Sequence, residues 1–494
     1  MNDKNPKIFL EEYKNEFSYR KSKTNLDIQF NRIAFIFFVF LMISVIFSIQ
    51  LIHLGTSKKT VIKTKLQINK KNYRADILDR NGSYLVKTVS SIDIGINPVE
   101  VIDKKKLLIN LQLIFPNKNY SKIKKKLNSK KFFYLEKKIS IENYEKIMLL
   151  GDKSIKSEEK LTRIYPQKNL FSHIIGQIDD DNNGISGIEK SFDKELKVIN
   201  KPLTLTVDTD IQFLIREELI KFQSIFRSKG SAVVLMNVNN GEIISMVSYP
   251  DFDLNKREKL NDLNLINRAT KGVYELGSVF KTFTIAAGLE EGLIETDSEF
   301  LNLEKKLKCG KSIIAEYDDK ISSDLTVEQI LIRSGNIGSV RIGQILGIDK
   351  LKSFLKKIDV INKIDFDIEE VGQPISFKWG KCKLATVSFG HGITTTPLQL
   401  AKGYAIITNG GFDIKPSLIR KKLVKNETKK RVIKKGISKK INLILRKIVT
   451  SKEGTAGLAN INGYEVGGKT GTAQKTKIGG YSRAKLILLQ LYFQ

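Results

Sequence analysis

The run from Ile33 to Leu54 carries no formal charge over 22 residues: Ile-Ala-Phe-Ile-Phe-Phe-Val-Phe-Leu-Met-Ile-Ser-Val-Ile-Phe-Ser-Ile-Gln-Leu-Ile-His-Leu. About 20 apolar residues in a helix cross the hydrocarbon core of a bilayer. The run therefore predicts a transmembrane anchor, and no small-residue cleavage site follows it to mark a removable signal peptide. A buried core helix is the alternative, disfavoured by the length of the run and its charged flanks. Residues 1–32 are polar and charged and read as a short disordered tail. Everything after Leu54 must fold on one side of the membrane. The flanks do not say which, because Arg20, Lys21, Lys23 and Arg32 before the run face Lys58, Lys59, Lys63 and Lys65 after it.

Charge and cysteine content narrow the chemistry. Lys and Arg number 84 against 53 Asp and Glu, a net charge of +31, which on its own suggests an anionic partner. The lysines are spread over the whole chain among many Ile and Asn, with no aromatic-interleaved basic stripe and no DNA-binding motif, so no nucleic-acid partner is expected. Only Cys309 and Cys382 are present, so neither a disulfide framework nor a cysteine metal cluster is expected to hold the fold. The histidines are His53, His173 and His391. A histidine triad or zinc site would need widely separated residues, and neither is expected.

Beyond the anchor, Arg74 to Gly82 reads as a strand entering an Asn-Gly turn. Residues 100–160 mix helical periodicity with lysine runs and show no chemical constellation. Arg163-Ile164-Tyr165-Pro166, His173-Ile174-Ile175-Gly176 and Gly187-Ile188-Glu189 read as structural pairs, with His173 a packed histidine. Leu203 to Asp208 alternates as a strand, Ile211 to Phe222 has helical spacing, and Asn239-Asn240-Gly241 joins two apolar strands in a hairpin. A domain boundary is placed near Lys201. From residue 278 to about 408 the chain reads as mainly helical, giving an α+β class with a largely antiparallel sheet.

Three stretches carry candidate chemistry. In Tyr274-Glu275-Leu276-Gly277-Ser278-Val279-Phe280-Lys281, the glycine and serine open an apolar run with helical spacing, so Ser278 sits in the first turn and Lys281 one turn on, on the same face. Serine needs a neighbouring base to become a nucleophile, and a lysine serves when burial or another cation lowers its pKa. The pattern alone is weak, since Ser-x-x-Lys recurs at Ser18, Ser121, Ser157, Ser191, Ser353 and Ser482. Ser334-Gly335-Asn336 lies between two apolar segments; it reads either as an ordinary turn or as a second hydroxyl and an amide serving a substrate. Tyr464 to Ala473 has strand character, and the glycines around Lys469 allow a ligand backbone to pair with it. Gly463, Gly468, Lys469 and Thr470 also satisfy the phosphate-loop pattern, which requires a preceding buried strand and a following helix that the flanks do not suggest.

Ser278-x-x-Lys281, Ser334-x-Asn336 and Lys469-Thr470-Gly471, in that order, resemble the three signatures of penicillin-recognising acyl-serine enzymes. The surroundings resemble class B penicillin-binding proteins: Arg74 to Gly82 (with Ala75 in place of a glycine), Gly187-Ile188-Glu189, the Asp208 strand, Tyr249-Pro250-Asp251-Phe252-Asp253 and Asn267-Arg268-Ala269. Phe389 to Leu400 looks more like the division-specific branch than the elongation branch. The similarity covers about residues 30–484. It implies a tail (1–32), an anchor (33–54), a membrane-proximal pedestal (55–200) and a transpeptidase domain (201–494). The implied activity is D,D-transpeptidation of D-Ala-D-Ala stem peptides, blocked by beta-lactams, on the periplasmic side of the cytoplasmic membrane. The resemblance assigns Ser278 as nucleophile, Lys281 as general base, Ser334 as proton shuttle and Asn336 as positioner of the acyl amide. Lys469 lowers the Lys281 pKa and holds the substrate carboxylate, with Thr470, Gly471 and Thr472 lining its site; the N–H groups of Ser278 and Thr472 form the oxyanion hole. It implies no metal or cofactor, and partners that include a membrane glycan polymerase and other division proteins.

The end of the chain departs from that pattern. Only 23 residues follow Gly471, and Leu486 to Gln494 does not resemble the family's further strands and closing helix. A reading-frame slip after about Lys485 is one expectation, tested by resequencing the gene; an open frame with no insertion or deletion sinks it. The apolar tail is otherwise expected to add one strand beside the Lys469 strand, leaving an exposed edge and an uncovered face. A catalytically impaired, membrane-anchored division scaffold is then the second functional reading, and a beta-lactam sensor the third.

Overall fold

The computed structural model describes residues 25–56, 73–198, 201–256, 263–310, 312–375, 378–421, 429–477 and 480–493, in two compact units, residues 1–70 and 71–494. In the first, one helix runs from Asn25 to Thr56. Its segment Asn31–His53 has a mean hydropathy of 2.7 and none of it is buried, as a lipid-facing span requires. The helix starts inside the stretch that composition assigned to a disordered tail. Once the apolar run nucleates the helix, each preceding residue adds a hydrogen bond at little further cost. The rest of that predicted tail, residues 1–24, lies outside the described residues.

The second unit opens on a five-stranded sheet of β1 (Ile77–Leu78), β2 (Tyr84–Ile96), β3 (Phe133–Glu136), β4 (Ile155–Ile164) and β5 (Leu203–Thr204). Its order is β3-β2-β1-β5, with β4 also on β2. The Asn81-Gly82 turn joins β1 to β2 as the sequence predicts, with Gly82 at φ 89°. Helices Lys104–Ile114, Tyr120–Leu127 and Ile141–Met148 close a small core around Ile94, Ile96, Leu107, Leu111 and Ile147. A second core runs continuously from Ala75, Ile77 and Ile188 to Val207, Met246, Leu398 and Leu418. The chain on both sides of Lys201 thus shares one interior. At its edge the predicted polar pairs are packed ions: Arg74 and Arg163 both bond Glu189, whose side chain is wholly buried. His173 packs edge-on against Phe252 with ring centroids 5.4 Å apart, and burial lowers its pKa to about 4.

The largest core surrounds helix Lys281–Glu290, whose residues 281–289 are all buried. Helices Asn336–Lys357, Lys381–Ser388, Pro397–Thr408 and Lys435–Thr450 pack around it. The antiparallel strands come as separate pairs: β6 (Ser231–Met236) with β7 (Ile243–Tyr249), β8 (Glu299–Phe300) with β11 (Leu325–Thr326), β9 (Lys306–Cys309) with β10 (Ser312–Ala315), and β12 (Val466–Lys477) with β13 (Gly480–Phe493). The tail strand expected beside Lys469 is β13, in register from Val466↔Phe493 to Ala473↔Leu486. Alternate residues Leu486, Leu488 and Tyr492 face the core, while Ile487 remains 71% exposed.

Candidate active site

Ser278 lies in a short 3-10 turn, Gly277–Phe280, that feeds the buried helix from Lys281. Side chains three apart in a 3-10 turn eclipse one another, so Ser278 and Lys281 share a face, as the spacing predicts. The turn is tied down by the Tyr404 hydroxyl, which donates to Val279 O at 2.6 Å and contacts Thr282 Oγ1 at 2.8 Å. Gly277 has φ 59° and donates its N–H to Gly390 O. A Cβ there would stand 2.4 Å from Thr472 O, and one on Gly471 would stand 2.8 Å from Leu276 O. Only glycines at both positions let β12 come flush against the serine turn.

Lys281 is fully buried and donates from Nζ to the Ser334 carbonyl, to Ser334 Oγ at 3.2 Å and to Asn336 Oδ1 at 2.7 Å. Lys469, equally buried, donates to Ser334 Oγ at 2.8 Å. One hydroxyl therefore stands between two lysine amines delivered by different elements. Ser334 holds that place at φ 59°, a left-handed conformation that is strained for a residue with a side chain. Ser334-Gly335-Asn336 is thus more than an ordinary turn: Gly335 caps the helix that Asn336 begins. Among the described residues no hydrogen bond joins the Ser278 hydroxyl to Lys281, which is drawn instead toward Ser334 and Asn336.

Two amines buried this closely cannot both stay charged. Desolvation lowers both; Lys469 falls to about 7. Lys281 falls well below the ordinary lysine value, through burial first, the charge of Lys469 second, with Glu316 opposing. Burial and the neighbouring Lys469 charge thus act on Lys281 in the same direction, toward the neutral amine.

The structure gathers all the predicted residues on three adjoining elements: Ser278 and Lys281, Ser334 and Asn336, and Lys469 to Thr472 on β12. Thr470 Oγ1 donates to Thr455 Oγ1 at 2.8 Å, and Thr472 is exposed. The phosphate-loop alternative falls, because the chain continues as a strand to Lys477 after Thr470, where that loop would have to open a helix. Sequence reasoning gave no site role to Glu316, Thr455 or Tyr404, which belong to no motif, or to Gly390, which was read only as part of the resemblance over residues 389–400. It also missed that Cys309 and Cys382 meet in a disulfide, with Cα atoms 5.4 Å apart. A count of two excludes a framework but not a single bridge across 73 residues.

A family model described as "Penicillin binding protein transpeptidase domain" matches residues 231–488, and one described as "Penicillin-binding Protein dimerisation domain" matches residues 69–219. The chain is 30% identical over 410 residues to the probable peptidoglycan D,D-transpeptidase FtsI of Caulobacter vibrioides, covering 81% of this chain and 69% of that one. It is 30% identical over 453 residues to stage V sporulation protein D of Bacillus subtilis (83% and 70%). It is 30% identical over 491 residues to the peptidoglycan D,D-transpeptidase FtsI of Buchnera aphidicola subsp. Baizongia pistaciae (89% and 83%).

Proposed function

The chain belongs to the penicillin-binding protein transpeptidase family, and we propose that it is a membrane-anchored peptidoglycan D,D-transpeptidase that cross-links stem peptides during septal wall synthesis. The observation that carries this reading is the Ser334 hydroxyl between Lys281 and Lys469, beside the serine that opens the central helix. In the proposed reaction, Ser278 Oγ bonds to the carbonyl carbon of the penultimate D-Ala as its proton passes to neutral Lys281. Collapse of the tetrahedral adduct breaks the C–N bond. Ser334 relays the proton to the departing D-Ala amine, leaving an ester on Ser278. An amine of a neighbouring stem attacks that ester and returns the proton to Ser278 Oγ. Asn336 orients the acyl amide, while Lys469, Thr470 and Thr472 receive the terminal carboxylate. The close approach of the Thr472 backbone to Gly277 supports an oxyanion hole made by the N–H groups of Ser278 and Thr472. Penicillin takes the same path, and its ring-opened ester persists.

We assign residues 55–200 to the pedestal and 201–494 to the transpeptidase domain; the matched dimerisation model extends to residue 219 and the transpeptidase model begins at 231. The disulfide supports a location of the second unit in an oxidising compartment, and hence on the periplasmic side. Partners of the division type, including a membrane glycan polymerase, would meet the Asn31–His53 span; loss of co-purification when that span is exchanged for an unrelated one tests this.

The test of the activity is covalent labelling of membranes with a fluorescent penicillin. A labelled band for the chain that vanishes in Ser278→Ala is expected. Labelling that survives in Ser278→Ala, or none in the unaltered chain, overturns the reading.

A further inference from the structure

Helix Asn336–Lys357 begins with an amide that bonds Lys281, yet its own N-cap, Gly335, has no side chain to satisfy the first N–H groups. The cap comes from elsewhere. Glu316, just after β10, accepts the Asn336 N–H on Oε2 at 2.7 Å and the Ile337 N–H on Oε1 at 2.8 Å. The preceding Ala315 carbonyl accepts Asn336 Nδ2 at 2.7 Å. Two consecutive residues of one hairpin arm thus grip both the backbone and the side chain of Asn336. With Nδ2 committed to Ala315, the other amide atom, Oδ1, is the one turned to Lys281 Nζ. A flipped amide would set Oδ1 against the Ala315 carbonyl oxygen, two acceptors with no proton between them.

The hairpin is itself anchored. Cys309 at the end of β9 is bonded to Cys382 in helix Lys381–Ser388, and Glu316 N donates to Lys305 O at 3.2 Å. Glu316 is half-buried, and both carboxylate oxygens are spent on the helix start.

We propose that Glu316 is a positioning residue of the acyl-transfer centre, clamping the start of helix Asn336–Lys357 so that Asn336 presents Oδ1 to Lys281. This rests on the function proposed above. The same carboxylate is also the anion that acts on Lys281. The other ionisable groups that interact with Lys281 are Lys469 from β12, which opposes its charge, and His391 from the segment after helix Lys381–Ser388. Those that interact with Glu316 are Lys281 and Tyr317, and Tyr317 in turn feels Asp318 and Arg333. Glu316 favours the protonated form of Lys281, so its charge keeps the acid limb of acylation at higher pH than Lys469 and burial alone would set.

The experiment measures the rate of acylation by a fluorescent penicillin against pH, for the full chain in membranes, with Glu316→Gln, Glu316→Asp and Ser278→Ala. Glu316→Gln removes the charge and keeps the shape and one acceptor. Its acid limb is expected to move down by roughly half to one pH unit, with a plateau lowered roughly three- to tenfold by the looser clamp. Glu316→Asp keeps the charge and should hold the limb at the unaltered position while losing rate. A Glu316→Gln profile that superimposes on that of the unaltered chain in position and height overturns the proposal. So does an Asp variant whose limb moves as far as that of Gln, since charge would then not be the cause. If the unaltered chain is not labelled, or Ser278→Ala is, the proposed function has failed and not the role of Glu316.

Discussion

At the scale of single residues, the site turns on one hydroxyl and the charge around it. Ser334 Oγ is the point where Lys281 and Lys469 meet, so Ser334→Ala should leave both amines in place and remove the path between them. Acylation should fall by roughly a hundredfold or more, in the range of a lost acid–base group, while binding of the penicillin before reaction changes little; pre-steady-state labelling separates the two. Lys469 and Glu316 act on Lys281 in opposite senses. Lys469→Gln removes a like charge and should move the acid limb of acylation up, where Glu316→Gln moves it down. Stability has its own sign. Lys469 is near 7 in the folded chain and higher when unfolded, so the unfolded state binds more protons between the two values. Burial of Lys469 thus destabilises the fold fully below about 7, and that cost is relieved as pH rises toward the unfolded lysine value of about 10.4. Thermal unfolding across that range should show the rise in the unaltered chain and a smaller one in Lys469→Gln.

At the scale of elements, the site is assembled by contacts between segments that no local pattern links. The β9–β10 hairpin supplies Ala315 and Glu316 to helix Asn336–Lys357 and is bonded through Cys309 to helix Lys381–Ser388. A disulfide typically stabilises a fold by about 2–4 kcal/mol. A reductant should therefore lower the melting temperature of the unaltered chain and leave that of the Cys309→Ser, Cys382→Ser double variant, already lower, unchanged. A melting temperature indifferent to reductant in the unaltered chain would show that the bridge carries no stability. The strand pairs follow the same logic. β12 and β13 are held to the core by their inward residues and by the Tyr492 hydroxyl on Asn442 O, so the Lys469 strand is fixed from its far side as well as by the serine turn.

At the scale of the whole second unit, the segments matched by the dimerisation and transpeptidase models share the core that joins Ala75 and Ile188 to Leu398 and Leu418. Arg74, Arg163 and Glu189 are buried at its edge; both arginines bond the Glu189 carboxylate, and Arg74 also pairs with Asp193. Glu189→Ala leaves two guanidinium groups with less than their needed partners, at a cost of about 3–5 kcal/mol. Denaturant unfolding should show the loss across both parts in a single transition; two transitions, with only the earlier one shifted, would mean that they fold separately. Local pattern was enough to give many of the elements and the reactive residue types. The charge-free run made the spanning helix, two apolar stretches around Asn239-Asn240-Gly241 made β6 and β7, and three short motifs named Ser278, Lys281, Ser334, Asn336 and Lys469, because spacing and side-chain chemistry are local properties. Folding in three dimensions set how deeply both lysines are buried, where Asn336 points, and that Glu316, Tyr404 and the bridged hairpin pack against the site. Those depend on desolvation and on contacts between residues far apart in the chain, and neither burial nor a distant partner leaves a periodic trace in sequence.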